Sequence, residues 1–289
     1  MIKVLVTGAN GQLGHCIKDI QKKYSHISFV FTDYKNLDIC DEKAVSHFFQ
    51  ENEPFHYCIN CAAYTAVDKA EEEKEKAYNI NAFGPKHLAL ACKMYDTILI
   101  HVSTDFVFDG LSSKPYTEKD GTNPISVYGK TKLQGELLIT GILKEHFIIR
   151  TSWLYSEHGN NFMKTMLRMA ETRNEISVVG DQMGTPTYAK DLAKTTLKII
   201  DSGINDYGIY HFSNCGETSW HGFAKAIFQE TNIQIKVKEV KTEEYFTLAK
   251  RPAFSVLSKK KTIGLLGIKI PHWRNSLKIA LRNYKTIIK

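Results

Sequence analysis

Along the first half of the chain, short apolar runs rich in Val, Ile and Phe alternate with longer stretches whose apolar residues recur every three or four positions. The short runs predict strands at 3–7, 28–32, 57–61, 97–103 and 146–151, and the stretches between them predict helices. Parallel strands need long crossovers, so this alternation implies an α/β fold with a doubly wound parallel sheet and helices on both faces. Beyond Thr151 the pattern changes. Positions 161–172 carry Met163, Met166, Leu167 and Ala170 on one helical face, and short strands with Gly and Pro turns follow. Trp273, Leu277, Ala280, Leu281 and Tyr284 again have helical spacing. The expected division is a main domain over 1–155 and a smaller region over 156–289, with some segments of the second returning to the main sheet.

Composition narrows the class. At 289 residues, 43% hydrophobic and 24% charged, the chain can bury a sizeable core, which excludes disorder, collagen and coiled coil as its main description. No apolar run reaches the ~18–20 residues that cross a bilayer, and the opening residues run straight into a strand-like segment, so no membrane association and a cytoplasmic location are expected. The net charge of +7 comes from lysines interspersed with acids, with one short block at Lys259-Lys260-Lys261. It does not point to nucleic acid, and it suits an acidic small molecule. Of the six cysteines, Cys58 and Cys61 have the spacing of half a zinc site. Three apart on a strand, they point to opposite faces, so reduced thiols are expected.

Directly after the first predicted strand comes Gly8-Ala9-Asn10-Gly11-Gln12-Leu13-Gly14, with a helical pattern behind it. Glycines at such a turn let the backbone approach a pyrophosphate, and the helix N-terminus offers free N–H groups and partial positive charge. The spacing G-x-x-G-x-x-G is one residue longer than the commonest dinucleotide fingerprint, so a wider turn is expected. Asp33 falls where an acid would take the ribose hydroxyls, although a solvated strand-end Asp fits as well. Its carboxylate favours NADH, and nearby Lys35 leaves NADPH open.

A second constellation lies further along. The fourth predicted strand runs into Ser103-Thr104-Asp105-Phe106, and a helix beginning near Val127 carries Tyr128 and Lys132. Residues four apart share a helix face, about 6 Å from each other. An ammonium at Lys132 would lower the ordinary phenol pKa of about 10 and bring Tyr128 towards the range of a general acid. Thr104, at a strand's C-terminal end, is placed to hydrogen-bond a carbonyl under reduction. Alone, Y-x-x-x-K is a common helix face; behind the glycine turn it reads as chemistry.

On these residues the chain resembles the extended short-chain dehydrogenase/reductases, with a Rossmann-type sheet, and more narrowly the dTDP-4-dehydrorhamnose reductase family. The narrower signals are Ala66-Val67-Asp68-Lys69-Ala70-Glu71 and Arg150-Thr151-Ser152-Trp153. The resemblance implies reduction of the 4-keto group of dTDP-4-dehydro-β-L-rhamnose by NADPH or NADH. It implies cofactor contacts at Gly8, Asn10, Gly11, Gln12, Leu13, Gly14, Asp33, Asp38, Ile39, Ala62, Ala63, Tyr64 and Thr65. Tyr128 matches the proton donor, Lys132 its partner and the ligand of the nicotinamide ribose, and Thr104 the residue that tunes the site. Thr104, Asp105 and Trp153 match positions that touch the nucleotide-sugar.

A diphosphate needs cations, and Arg251, before Pro252, is the candidate. Trp153 after its strand fits a core position as well as a flat apolar face for sugar or base, and it is the resemblance that assigns it the second. His101 and His211 fit strand interiors as packed, neutral histidines without a catalytic role. No metal is expected: the run Glu71-Glu72-Glu73 is explained by a solvated helix start. A homodimer is left open. Two rival readings stand: a nucleotide-sugar epimerase or dehydratase of the same fold, and a non-catalytic dinucleotide-binding subunit. Phe106 after Asp105, where a dehydratase would place Glu, argues against the dehydratase.

Overall fold

The computed structural model describes residues 1–52 and 54–287. Among the described residues the strands in chain order are β1 (Ile2–Thr7), β2 (Ile27–Phe31), β3 (Tyr57–Asn60), β4 (Ile98–Thr104), β5 (His146–Thr151), β6 (Leu154–Tyr155), β7 (Glu175–Val179), β8 (Met183–Gly184), β9 (Thr187–Tyr188), β10 (Gly208–His211), β11 (Thr218–Ser219) and β12 (Lys236–Val240). The α-helices are α1 (Gln12–Ile20), α2 (Glu42–Asn52), α3 (Val67–Ala70), α4 (Lys74–Tyr78), α5 (Gly84–Met94), α6 (Val127–Ile142), α7 (Phe162–Ala170), α8 (Ala189–Ser202), α9 (Trp220–Thr231), α10 (Lys260–Leu266) and α11 (Trp273–Ile287).

Six strands form one all-parallel sheet in the order β10, β5, β4, β3, β1, β2. The five strands expected from the first half are all present, with every end shifted by one residue or less; β4 gains Thr104 and β3 stops before Cys61. The sixth, β10, comes from the second half and pairs with β5.

Strands buried on both faces read as continuous apolar runs, and alternate residues sort to opposite sides. Val4, Val6, Ile59, Ile100, Phe147 and Ile149 pack on one face with α1 and α8. Leu5, Cys58, Leu99 and Ile148 pack on the other with α2 and α5. A third cluster joins α7, β7, α9 and α11 beyond the sheet. Its Met163 and Met166 come from the helix expected at 161–172.

The placement of α6 is what the site depends on. Ser126 caps its first turn by accepting from the Gly129 N–H at 3.2 Å, and Glu71 accepts from the Val127 N–H at 2.9 Å. Glu71 is therefore not simply solvated: it satisfies the first N–H of α6, 56 positions further on. Gly129 and Gly135 lie against the backbone carbonyls of Phe106 and Asn81, where a Cβ would clash. One turn beyond Lys132, Glu136 takes two hydrogen bonds from Arg150 Nε (3.0 and 3.2 Å), a third from Nη2 (2.7 Å), and one from Ser103 Oγ (2.5 Å). Both charged side chains are almost wholly buried.

Removing one partner of such a pair strands a charge without solvent. Arg150→Met is expected to lower stability by about 3–5 kcal/mol in urea unfolding, and adding Glu136→Leu should recover most of that loss. An Arg150→Met protein as stable as wild type would show that the pair does not hold α6.

Candidate active site

The C-terminal edge of the sheet forms the floor of a cavity of about 970 Å³. Gly11, Gln12 and Leu13 enter it after β1, Cys61 after β3, Thr104 and Asp105 at the end of β4, and Thr151 at the end of β5. Tyr128 and Lys132 reach it from α6, while Phe162, Met166, Met169 and Trp220 form an apolar wall opposite. Tyr245, Thr247 and Arg251 border it as well.

The expected cofactor residues divide. Gly11, Gln12, Leu13, Ala63, Thr65, Tyr128 and Lys132 line the cavity, whereas Gly8, Asn10, Gly14, Asp33, Asp38, Ile39, Ala62 and Tyr64 are not among its lining residues. Gly8 has φ +64°, and a Cβ there would come within 2.5 Å of the Ala62 nitrogen; one at Gly14 would come as close to the Ala9 Cα. Those two glycines serve the turn and its packing. A Cβ on Gly11 would meet only the Gly8 carbonyl, at 3.3 Å, so Gly11 is the glycine that keeps the cavity side open. No side chain caps α1. Its first-turn N–H groups therefore fit a pyrophosphate, which is the test of fit for a dinucleotide at this turn.

Asn10 donates to Asp33 and accepts from Lys18, so Asp33 sits behind the turn with a partner of its own. Asp38 accepts from the Cys40 N–H on an exposed loop, and Ile39 is core. Tyr64 is held through its backbone by Asn81, which accepts from the Tyr64 N–H and donates to its carbonyl (2.8 and 3.0 Å). Asn81 lies in a π-helical turn, Asn79–Phe83, and also donates to Thr131 of α6 at 3.1 Å. The sequence carried no signal for it.

Thr104, Asp105, Tyr128 and Lys132 converge on the cavity. Thr104 donates to Asp105 at 3.0 Å. Burial pushes Asp105 up to about 6 against hydrogen bonds from Ser255 and Thr104. The expected lowering of Tyr128 is not what the structure shows: burial drives the phenol up to about 12, and a hydrogen bond with Thr104 opposes the rise. The reason is geometric. Lys132 donates instead to the Val102 carbonyl at 2.7 Å and meets His101 at 3.2 Å, and its own pKa falls to about 8 by burial. His101 is buried and held well below its ordinary value, but it is more than packed, since it touches the site lysine. His211 is buried against Phe108 and held at about 3 by burial beside Arg150.

Trp153 lines the cavity with one of its faces already covered. Trp220 stacks on it at 3.6 Å between ring centroids. Gly184 packs against the same ring, and an added Cβ there would fall 2.5 Å from the ring-fusion carbon Cε2. Trp153 itself sits at φ +47°. Arg251 reaches the cavity with Asp68 already on its guanidinium at 2.6 and 3.1 Å.

The family model described as the RmlD substrate binding domain matches residues 2–286. The chain belongs to that family. It is 44% identical over 280 residues to the spore coat polysaccharide biosynthesis protein SpsK of Bacillus subtilis (strain 168), covering 96% of each chain. A crystal structure of a dTDP-4-dehydrorhamnose reductase, an RfbD ortholog from Clostridium acetobutylicum ATCC 824, superimposes with a TM-score of 0.94 at 45% identity, over 98% of this chain and 100% of that one. The dTDP-4-dehydrorhamnose reductase of Bacillus anthracis str. Ames, solved in complex with NADP, gives 0.92 at 41% identity over the same shares.

In this family member the fold also assembles an acidic group that sequence spacing concealed. Asp19, Glu157 and His158 bring ligand-type atoms within 4.8 Å of one another. The Lys190 ammonium lies between the two carboxylates, at 3.0 and 2.8 Å, and supplies the charge they need. The six cysteines are free, and Cys61 borders Lys132.

Two outcomes follow from this geometry. Gly8→Ala is expected to lose more than about 1 kcal/mol of stability through overpacking and a left-handed backbone. Gly11→Ala should fold near wild type and bind dinucleotide more weakly in calorimetry. Equal stability of the two variants would contradict the division of roles. The second outcome concerns Asp105, whose folded pKa of about 6 lies above the ordinary 3.8. Between those values the folded protein keeps a proton that the unfolded chain has lost, so stability falls as pH rises through the window. Asp105→Asn has no such dependence and should gain on wild type by on the order of 2–3 kcal/mol between pH 4 and pH 8. An offset constant with pH in urea unfolding would refute the burial argument.

Proposed function

We propose that this chain is a dTDP-4-dehydrorhamnose reductase, an NADPH- or NADH-dependent oxidoreductase that reduces the 4-keto group of dTDP-4-dehydro-β-L-rhamnose to give dTDP-β-L-rhamnose. The observation that carries the reading is the meeting of Tyr128, Thr104 and Lys132 with the uncapped start of α1 in one cavity. Relatives that carry the reductase name across nearly the full chain support it. In our reading 1–155 is mainly the dinucleotide side and 156–289 mainly the substrate side, and the reaction takes place in the cytoplasm.

Gly11, Gln12 and Leu13 would hold the pyrophosphate through backbone N–H groups. Bound there, a reduced nicotinamide supplies hydride to the ketone carbon. Tyr128 Oη then gives its proton to the developing alkoxide, with the Thr104 hydroxyl in support. A phenol near 12 is fully loaded with that proton at neutral pH, and an alkoxide is basic enough to take it.

Tyr128→Phe is expected to bind cofactor normally and to lose turnover by about 10²–10⁴-fold. The assay is the stoichiometric loss of near-ultraviolet nicotinamide absorbance on adding the 4-keto sugar. Turnover without net cofactor consumption would mean an epimerase or dehydratase, and a wild-type rate in the variant would remove Tyr128 as the acid.

A further inference from the structure

Behind Lys132 lies a buried hydrogen-bond chain whose proton positions can be worked out from one backbone group. Asn60, at the end of β3, accepts through Oδ1 from the Ala62 N–H at 3.1 Å and from Thr7 Oγ at 2.7 Å. A backbone N–H only donates, so the Asn60 amide cannot be flipped, and its Nδ2 must face the next group. That group is His101 Nδ1, at 3.0 Å. Nδ2 donates, so Nδ1 accepts, and a neutral imidazole then carries its proton on Nε2.

Nε2 faces Lys132 Nζ at 3.2 Å. With Nε2 as donor, this contact is satisfied only by a neutral lysine amine, which accepts from His101 and donates to the Val102 carbonyl. Placing an ammonium at Lys132 requires Nε2 to accept and moves the imidazole proton to Nδ1. Two donors, His101 Nδ1–H and Asn60 Nδ2–H, would then face each other. Asn60 and His101 are 1% and 0% exposed, so no solvent relieves the conflict.

We propose that Asn60 and His101 are positioning residues that fix the protonation state of Lys132, with the tautomer of His101 as the coupling element. The inference deepens the reading of Lys132 as the lysine of the active site and rests on that reading for its functional meaning.

The other groups around the amine do not supply the effect. Glu136, one turn on, favours the ammonium, as does Cys61 if ionised, while Tyr128 lies one turn back on the same helix. The Glu136 charge is already taken up by Arg150, and His146 acts on His101 rather than on the lysine. Burial alone lowers Lys132 to about 8, so the coupling is read from the His101 tautomer and from its response to substitution.

The test is NMR on the full-length protein without substrate, with ¹⁵N-labelled histidine and ¹³C-labelled lysine. Wild type is expected to show His101 as the Nε2–H tautomer above the Lys132 midpoint, and that midpoint to lie well below the ordinary lysine value. An Nδ1–H tautomer, or an ordinary Lys132 midpoint, overturns the proposal. In Asn60→Asp a carboxylate accepts where the amide donated, so His101 should switch to Nδ1–H and the Lys132 midpoint should rise by about one pH unit or more. The same rise in a His101→Phe background would assign it to the added charge alone and overturn the coupling through His101. Each readout is independent of turnover, so failure here leaves the reductase assay to stand or fall separately.

Discussion

The Glu136 carboxylate and the Arg150 guanidinium, both withdrawn from water, tie α6 to β5 one turn past Lys132. Such a pair adds little net stability, because desolvation offsets most of the attraction. Its value is geometric. A helix that slipped by one residue would turn Tyr128 and Lys132 by about 100° away from the sheet edge. Ser103 bonds the same carboxylate, so the helix is registered against β4 and β5 together, the strands that end in Thr104 and Thr151. Gly129 and Gly135 then allow α6 to lie directly on the carbonyls of Phe106 and Asn81. Position, not charge stabilisation, is what the buried pair contributes.

The same exclusion of water shapes the proton chemistry. Burial favours the neutral form of every group, so it raises Tyr128 and Asp105 and lowers Lys132. A reductase needs its acid loaded before the hydride arrives, and a buried phenol meets that need without help from an ammonium. Pairing a tyrosine with a lysine four residues later suggested a phenol activated by direct charge. Helix spacing puts the two side chains on one face, but it cannot say where an amine on a flexible stem finds its partners. Here those partners are the Val102 carbonyl and His101.

Much of the fold was legible because strands covered on both faces announce themselves as unbroken apolar runs, as in Val4-Leu5-Val6 and Phe147-Ile148-Ile149. The site was legible in part. The spacing of Gly8, Gly11 and Gly14 marks a turn, yet which glycine faces a ligand depends on what lies opposite: the Ala62 backbone, an open cavity, or Ala9. Contacts between residues far apart in the chain left no trace. Trp220 closes one face of Trp153 across 67 positions, counted from their numbers, and a lone aromatic in sequence says nothing of a second ring. Asn81 and Glu71 likewise act on residues 17 and 56 positions away.

Arg251 shows how a long-range contact can refine a site without abolishing it. Asp68 takes Nη1 and Nη2, the end-on fork of the guanidinium, and the Ala249 carbonyl takes the remaining Nη1 proton. Among the described residues none bonds Nε, so Nε–H and the second Nη2–H, which point the same way, are left without a protein partner on an arginine that lines the cavity. Asp68 therefore orients the arginine as well as neutralising it. A dianion bound on that pair of N–H groups meets two parallel donors already fixed in direction, which lowers the entropy of capture, while the Asp68 charge weakens the attraction. The contact thus trades strength of attraction for fixed direction.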